Sequence, residues 1–472
     1  MRTRSTRFIA AVAILSVVPL AARSQTDPSL KLSTTNPTAA AEFRAGMRDA
    51  QNVSFESATA HFKAAIDADP SFGLARVLYG GGGLLDPSQL NTELTRGVVD
   101  AARGTNNELI LAAAYREQAL GHTDAANALF RAASQLMPAD ELIAWLAAGG
   151  FGAPLPATRD FVTRHPNYPL GYNSLAYGAW AGGDRAAALA AAKRQMELLP
   201  TAPNPHDTYA EILQWNGNFA DAAAHYKAAT TLSPKFPEAY AGLAEVAALQ
   251  GQYDQARTYL NQAIANAWTP QEKLGYMRQI VGTYVLQGAP ADVTKALEAA
   301  IAEAKAQKDA RETAILYSQL ATVQANAGNA NAAHQSIATA KAASGDPWQV
   351  HYFPGVAHGL MKHWAPAGQE LAALKAQAAA DPSSVPGDRV PALEGYLLTQ
   401  QGKPADALTI LMKADTTSIL IMNRIAEAHA ALGHPAEAAA WNNRVNTNYA
   451  LNLMDFTNVN SRRRAKLETA SR

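Results

Sequence analysis

The chain has 472 residues, of which 48% are hydrophobic and 17% charged, with 40 basic side chains against 40 acidic ones and no cysteine. The apolar share excludes a disordered chain, the length exceeds what one compact core usually holds, and the even charge argues against nucleic acid, which needs clustered positive charge. Without cysteine there is no disulfide, thiolate metal site, cysteine nucleophile or N-terminal lipid-bearing cysteine.

Residues 1–24 have the pattern of a cleaved secretion signal. Arg2, Arg4 and Arg7 form a positive head, Phe8 to Ala22 a short apolar stretch, and Ala22 and Ser24 a small-residue cleavage site that leaves Gln25 first. A membrane anchor is the competing reading, but a span needs roughly 20 apolar residues, and this stretch is shorter. Cleavage leaves 36 basic against 40 acidic residues, a net charge of −4. The expectation is an exported protein, periplasmic or secreted, with no membrane span after cleavage. Residues 25–38 read as a flexible lead-in.

A helical grid starts at residue 39. Ala58, Phe62, Ala65 and Pro70 set a spacing that returns after Gly121 as Ala126, Phe130, Ala133 and Pro138. The interval from Pro70 to Pro138 fits two units, and the run Gly80 to Gly83 with Asp86–Pro87 loops out the one between. The interval from Pro138 to Pro166 falls short of a full unit, and its turn lies at Gly149 to Pro156. The clearest block runs from Pro169 to Pro270. Here Pro166, Pro200 and Pro234 step by 34, as do Gly183, Gly217 and Gly251, Ala176, Ala210 and Ala244, and Ala188, Ala222 and Ala256. That step is the period of a helix–turn–helix unit that stacks into a solenoid. The alanines let two antiparallel helices approach, and Phe219 and Tyr226 fill the gap toward the next pair. Gly217 accepts the positive φ of a helix end, and Pro234 marks where the helix cannot continue.

Beyond Pro270 the period loosens. Gly288, Gly328, Gly402 and Gly433 read as turn glycines at unequal spacing, with Ala333 and Ala340, Ala407 and Ala414, and Ala438 following them. The array is expected over residues 39–343, an irregular joint over 344–390, further helix pairs over 391–447 and a C-terminal helix or tail over 448–472. The joint holds two breaks, Ser344 to Pro366 and Asp381 to Pro391. The basic run Arg462, Arg463 and Arg464 reads as a solvated cap, too short to favour lipid headgroups.

This pattern resembles the tetratricopeptide repeat family. The best match is Tyr240, Leu243, Ala244, Gly251, Tyr253, Ala256, Leu260 and Ala263. The unit with Tyr172, Leu175, Ala176, Gly183, Ala188 and Pro200 departs at Gln195, where a small residue is usual, and at Arg185, where an aromatic is usual. Over residues 39–447 the resemblance implies an all-α, right-handed superhelical solenoid of antiparallel helix pairs, irregular in its C-terminal third. It also implies that first helices line an inner groove where partner peptides lie.

By that analogy the groove residues are Asn173, Tyr177, Trp180, Asp207, Glu211, Trp215, Glu238 and Glu245. Three aromatics and four carboxylates without a lysine or arginine would suit an extended peptide with basic side chains. The alternative is that Trp180 and Trp215 pack between repeats and the acids are ordinary surface. The basic residues of the family's carboxylate-clamp version are missing at the matching positions. His351, His358 and His363 invite a metal reading, but on one continuous helix His363 points about 140° from His358, and Pro354 and Gly355 read as helix breakers. A loop plugging an irregular joint is the plainer expectation, with no metal. The glycines at 80–83 lack the lysine and hydroxyl of a phosphate loop, and neither a G-x-S-x-G nor an H-E-x-x-H motif occurs. The expected function is a non-enzymatic, cofactor-free scaffold for a protein or peptide partner. A metal-binding factor or enzyme using the histidines, or a structural spacer in an envelope assembly, are the alternatives.

Overall fold

The computed structural model describes residues 30–85, 87–343 and 346–470. The expected signal at 1–24, much of the lead-in, Asp86 of the looped unit, and Ser344 and Gly345 of the expected joint lie outside them. The described residues form 25 α-helices, one short 3-10 helix at Gly150–Gly152 and no strand. The chain divides into two compact units, residues 1–239 and 240–472.

Unit 1 holds α1 (Pro37–Gln51), α2 (Phe55–Ala68), α3 (Gly73–Gly80), α4 (Pro87–Ala101), α5 (Asn106–Ala119), α6 (Thr123–Leu136), α7 (Glu141–Ala147), α8 (Leu155–Arg164), α9 (Pro169–Ala181), α10 (Arg185–Leu198), α11 (Pro203–Trp215) and α12 (Phe219–Leu232). Adjacent helices pair as α1–α2, α3–α4, α5–α6, α9–α10 and α11–α12. Helix α13 (Pro237–Leu249) carries the division between units.

The turn chemistry explains the pairing. Gly217 has φ +84°, its N–H donates to the Gln214 carbonyl at 2.9 Å, and Asn218 N–H donates to the Leu213 carbonyl at 2.9 Å. This double bond pattern closes a helix end with one left-handed residue, which glycine adopts without a Cβ clash. All eight turn glycines (121, 183, 217, 251, 288, 328, 402 and 433) have φ between +75° and +84°. The proline stops hold as well: α10 ends at Leu198 before Pro200, and α12 at Leu232 before Pro234. Ala176, Ala188, Ala210, Ala222 and Tyr226 are fully buried between the helices.

Both departures from the repeat pattern are compensated. Gln195 is buried, accepts from Asn173 Nδ2 at 3.3 Å and donates to Asn204 Oδ1 at 3.2 Å. A buried amide is tolerated there because its polar atoms are paired. Arg185 lays its guanidinium 3.3 Å from the centre of the Trp180 ring, supplying the flat contact an aromatic would make.

Unit 2 continues with α14 (Tyr253–Ala265), α15 (Pro270–Gln287), α16 (Pro290–Ala306), α17 (Ala310–Asn326), α18 (Ala330–Ala343), α19 (Gln349–Leu360), α20 (Trp364–Ala380), α21 (Arg389–Gln400), α22 (Pro404–Leu411), α23 (Ile419–Ala431), α24 (Pro435–Asn446) and α25 (Phe456–Ala470). Pairs α15–α16, α17–α18, α19–α20, α21–α22 and α23–α24 follow in order, and the first helices α17, α19, α21 and α23 also touch in sequence.

The joint expected at 344–390 is corrected: much of it is the pair α19–α20. Pro354 sits inside α19, which a helix interior resists by about 3 kcal/mol. Burial of Tyr352, Phe353, Val356 and Ala357 outweighs that cost. Gly355 and Gly359, one turn apart, are packing notches rather than breakers. A Cβ at Gly355 would stand 2.8 Å from Leu393 of α21, and one at Gly359 2.8 Å from Tyr396.

Candidate functional site

Seven of the eight expected groove residues are buried, between 1% and 8% exposed, and Tyr177 is half-buried. The structure does bring several of them together. Tyr177 donates its hydroxyl to Glu211 Oε2 at 2.7 Å, and the Trp215 ring lies 5.9 Å from Tyr177 and 5.1 Å from Trp180. Asn173 Nδ2 donates to Thr208 Oγ1 at 2.9 Å. The open aromatic-plus-acidic strip expected at these positions is therefore corrected to a packed seam between first helices. The reason is that residues about one period apart on α9 and α11 meet each other, so their rings pack edge-on and tilted against one another instead of facing solvent.

The C-terminal segment is not a solvated cap. In unit 2, Leu451, Leu453, Phe456 and Val459 are buried, as are Ser461 and Arg462. Residues 449–466 lie along first helices, one after another. Leu453 meets Gly282 of α15, Phe456 packs on Phe353 of α19 with ring centres 5.8 Å apart, and Arg389 of α21 pairs with Asp455 at 3.1 Å. Arg464 pairs with Glu427 of α23, which also takes Arg424 at 2.6 Å. Burial pushes the Glu427 carboxyl up, but the two guanidinium groups outweigh it and hold its pKa down to about 2. Burial pushes Arg462 down to about 10, with Glu245 opposing. Beside α25 a cavity of about 480 Å³ has apolar walls, including Val293 and Val356, and a polar edge with Asn423, Arg424 and Arg463.

The histidine stretch is rearranged relative to the sequence reading. His351 leaves the group: its Nδ1 meets Glu370 Oε2 at 2.8 Å and its Nε2 meets Asp346 Oδ1 at 2.7 Å. The hydrogen bond to Glu370 raises the His351 pKa against the effect of burial. His334 of α18 takes its place beside His358 and His363. Helix α19 stops at Leu360, Lys362 takes φ +58°, and His363 N–H donates to the His358 carbonyl at 2.8 Å. The chain reverses there, so His363 folds back toward His358 instead of diverging from it as on one continuous helix. One ring nitrogen from each of His334, His358 and His363 lies within 4.8 Å of the others. Nothing local in the sequence pairs His334 with the other two, because they meet across two helix pairs.

Repeated helix pairs, each closed by a positive-φ turn, are the setting in which the sequence likeness falls. Residues 216–267, from the Gly217 turn through α14, match the tetratricopeptide repeat family. That stretch is a tetratricopeptide-like helix–turn–helix segment. Tetratricopeptide repeats are in general protein-interaction scaffolds. Among solved structures the repeat protein is similar to Pseudomonas aeruginosa PilF, at 15% identity over 49% of this chain and 95% of that one, TM-score 0.33. A tetratricopeptide repeat protein from Parabacteroides merdae is 14% identical over 58% and 91%, TM-score 0.30. A chain of the APC/C hetero-tetramer Cut9–Hcn1 is 14% identical over 93% and 78%, TM-score 0.44. No curated protein matches the repeat protein. No helix of its described residues is long and apolar enough to cross a membrane.

Proposed function

We propose that this is an exported scaffold that holds a protein or peptide partner along the first helices of its repeats. Export rests on the positive head, apolar stretch and small-residue site of residues 1–24. The reading of the binding face is supported by one observation above the others. Unit 2 holds a polypeptide segment of its own across α15, α19, α21 and α23, through apolar anchors and two ion pairs. That segment is a cis-acting example of the ligand this surface suits: part extended, part helical, with alternating apolar and charged contacts. In unit 1 the corresponding position is the seam around Tyr177, the one member of the acidic and aromatic set that is not buried.

Site-specific photocrosslinking in the native host tests this. A photoreactive residue at Tyr177 is expected to give a discrete adduct with a second protein in the exported fraction. The same group at Leu232, exposed at the end of a second helix, is expected to give none. Adducts from Leu232 alone would favour a spacer that is gripped from outside. Exported protein beginning at Gln25 is the expected N-terminus, and an uncleaved chain in the cytoplasm would remove the export part.

A further inference from the structure

We propose that His334, His358 and His363 form a binding site for one divalent transition-metal ion of the zinc type. Three imidazoles from α18, the end of α19 and the start of α20 converge, with one ring nitrogen each inside a 4.8 Å limit. The rings of His334 and His363 are parallel within 8° at 5.2 Å, and His358 lies 5.5 Å from His334 and 6.2 Å from His363, centre to centre. Imidazole suits zinc, copper and nickel, whereas magnesium and calcium call for oxygen ligands.

The donors are free to serve. His358 is only 6% exposed, and its Nδ1 is buried without a hydrogen-bond partner. A buried polar atom left unpaired in a native fold calls for an explanation, and the ring that carries it belongs to this cluster. His363 stands at the N-cap position of α20 without making a side-chain cap bond. His334 is exposed on α18. Four-coordinate zinc with bonds of about 2.0–2.1 Å needs ligand nitrogens about 3.3 Å apart. Binding therefore requires the rings at 334 and 363, which solvent reaches, to turn in toward the buried ring at 358. Three ligands leave a fourth position facing solvent, open to water or to a partner side chain.

Two other histidine pairs make the comparison internal. His206 with His225 and His429 with His434 each bring two rings together, and neither pair belongs to a three-ligand group among the described residues. Ordinary ring packing at a helix end would produce pairs such as these. The third ring is what turns contact into a ligand set.

The experiment uses the full-length chain without a histidine tag. Equilibrium dialysis against zinc is expected to give one bound equivalent, and cobalt is expected to give the visible absorption of a four-coordinate ion. His334→Gln and His363→Gln, both at positions solvent can reach, are each expected to weaken binding at least about tenfold and abolish the cobalt spectrum. His206→Gln is expected to bind like the parent. The zinc-dependent rise in melting temperature is expected to vanish in the His334→Gln His363→Gln double variant while its circular dichroism stays unchanged. Less than a tenth of an equivalent bound by the parent overturns the proposal. So does binding by His334→Gln at parental affinity, which would place the ion elsewhere.

Discussion

Helices α9–α12 in unit 1 and α15–α25 in unit 2 use the same hairpin, yet they are held differently. In the first region each contact reaches about one period along the chain: Tyr177 to Glu211, Asn173 to Thr208, Trp180 to Trp215. In the second, residues far apart in sequence close the fold. Arg389 reaches Asp455 and Phe353 reaches Phe456, while α15 makes room for Leu453 with a glycine. The lesson is that a nearest-neighbour array keeps its period, whereas an array clasped by a distant segment can vary helix length and spacing and still bury its inner face.

The largest effect expected from this contrast is at Gly282, where a Cβ would stand 2.2 Å from the Leu453 carbonyl oxygen. Gly282→Val should cost about 3 kcal/mol, the upper range for forced overpacking. Urea denaturation would measure it, and protease cleavage near residue 450 should appear before global unfolding. Parental stability in that variant would mean the segment does not clasp α15 in solution.

A smaller effect is expected at the Glu427 cluster. Arg464→Ala should lose about 1–2 kcal/mol at pH 7, less than a fully buried pair because Arg464 is a third exposed. The folded pKa of Glu427 is depressed to about 2, below an unfolded value of about 4.3. Its contribution is therefore fully present above the unfolded value and lost as the pH falls through the folded one. The gap between variant and parent should close between about pH 4 and pH 2, and a gap independent of pH would count against the ion pair.

The smallest effects compare turns. Gly251 has φ +78° with open space around it, so Gly251→Ala should lose about 1 kcal/mol from backbone strain alone. Lys308 occupies the same conformation at φ +56°, its N–H bonded to Lys305 and that of Asp309 to Ala304. Lys308→Gly should gain a few tenths of a kcal/mol, relieved strain being partly offset by the freer unfolded chain. Losses in both variants would show that φ is not what sets the cost at these turns.

Much of the hairpin architecture was legible because its signals are local. Turn glycines at 121, 183, 217, 251, 288, 328, 402 and 433 all take the conformation read for them, and Pro200 and Pro234 stand just past their helix ends. The misreadings share a cause. Pro354 and Gly355 look like breakers by propensity, but burial of their neighbours and the approach of α21 decide the helix. Trp180 and Trp215 look available on a single helix, yet they face each other across repeats.

The residues themselves determined the period, the turns, the class of fold and the absence of thiol chemistry, since each depends on backbone conformation or composition within one unit. Only tertiary structure decided which inner faces are covered and which histidines meet. Arg462 looks like a surface charge in its own stretch, yet it is buried, bonded to the Val445 carbonyl and under the influence of Glu245 far upstream. His334 joins His358 only because α17 and α18 stack against α19. Such contacts depend on where whole helices come to rest, and no local run of side chains encodes that position by itself.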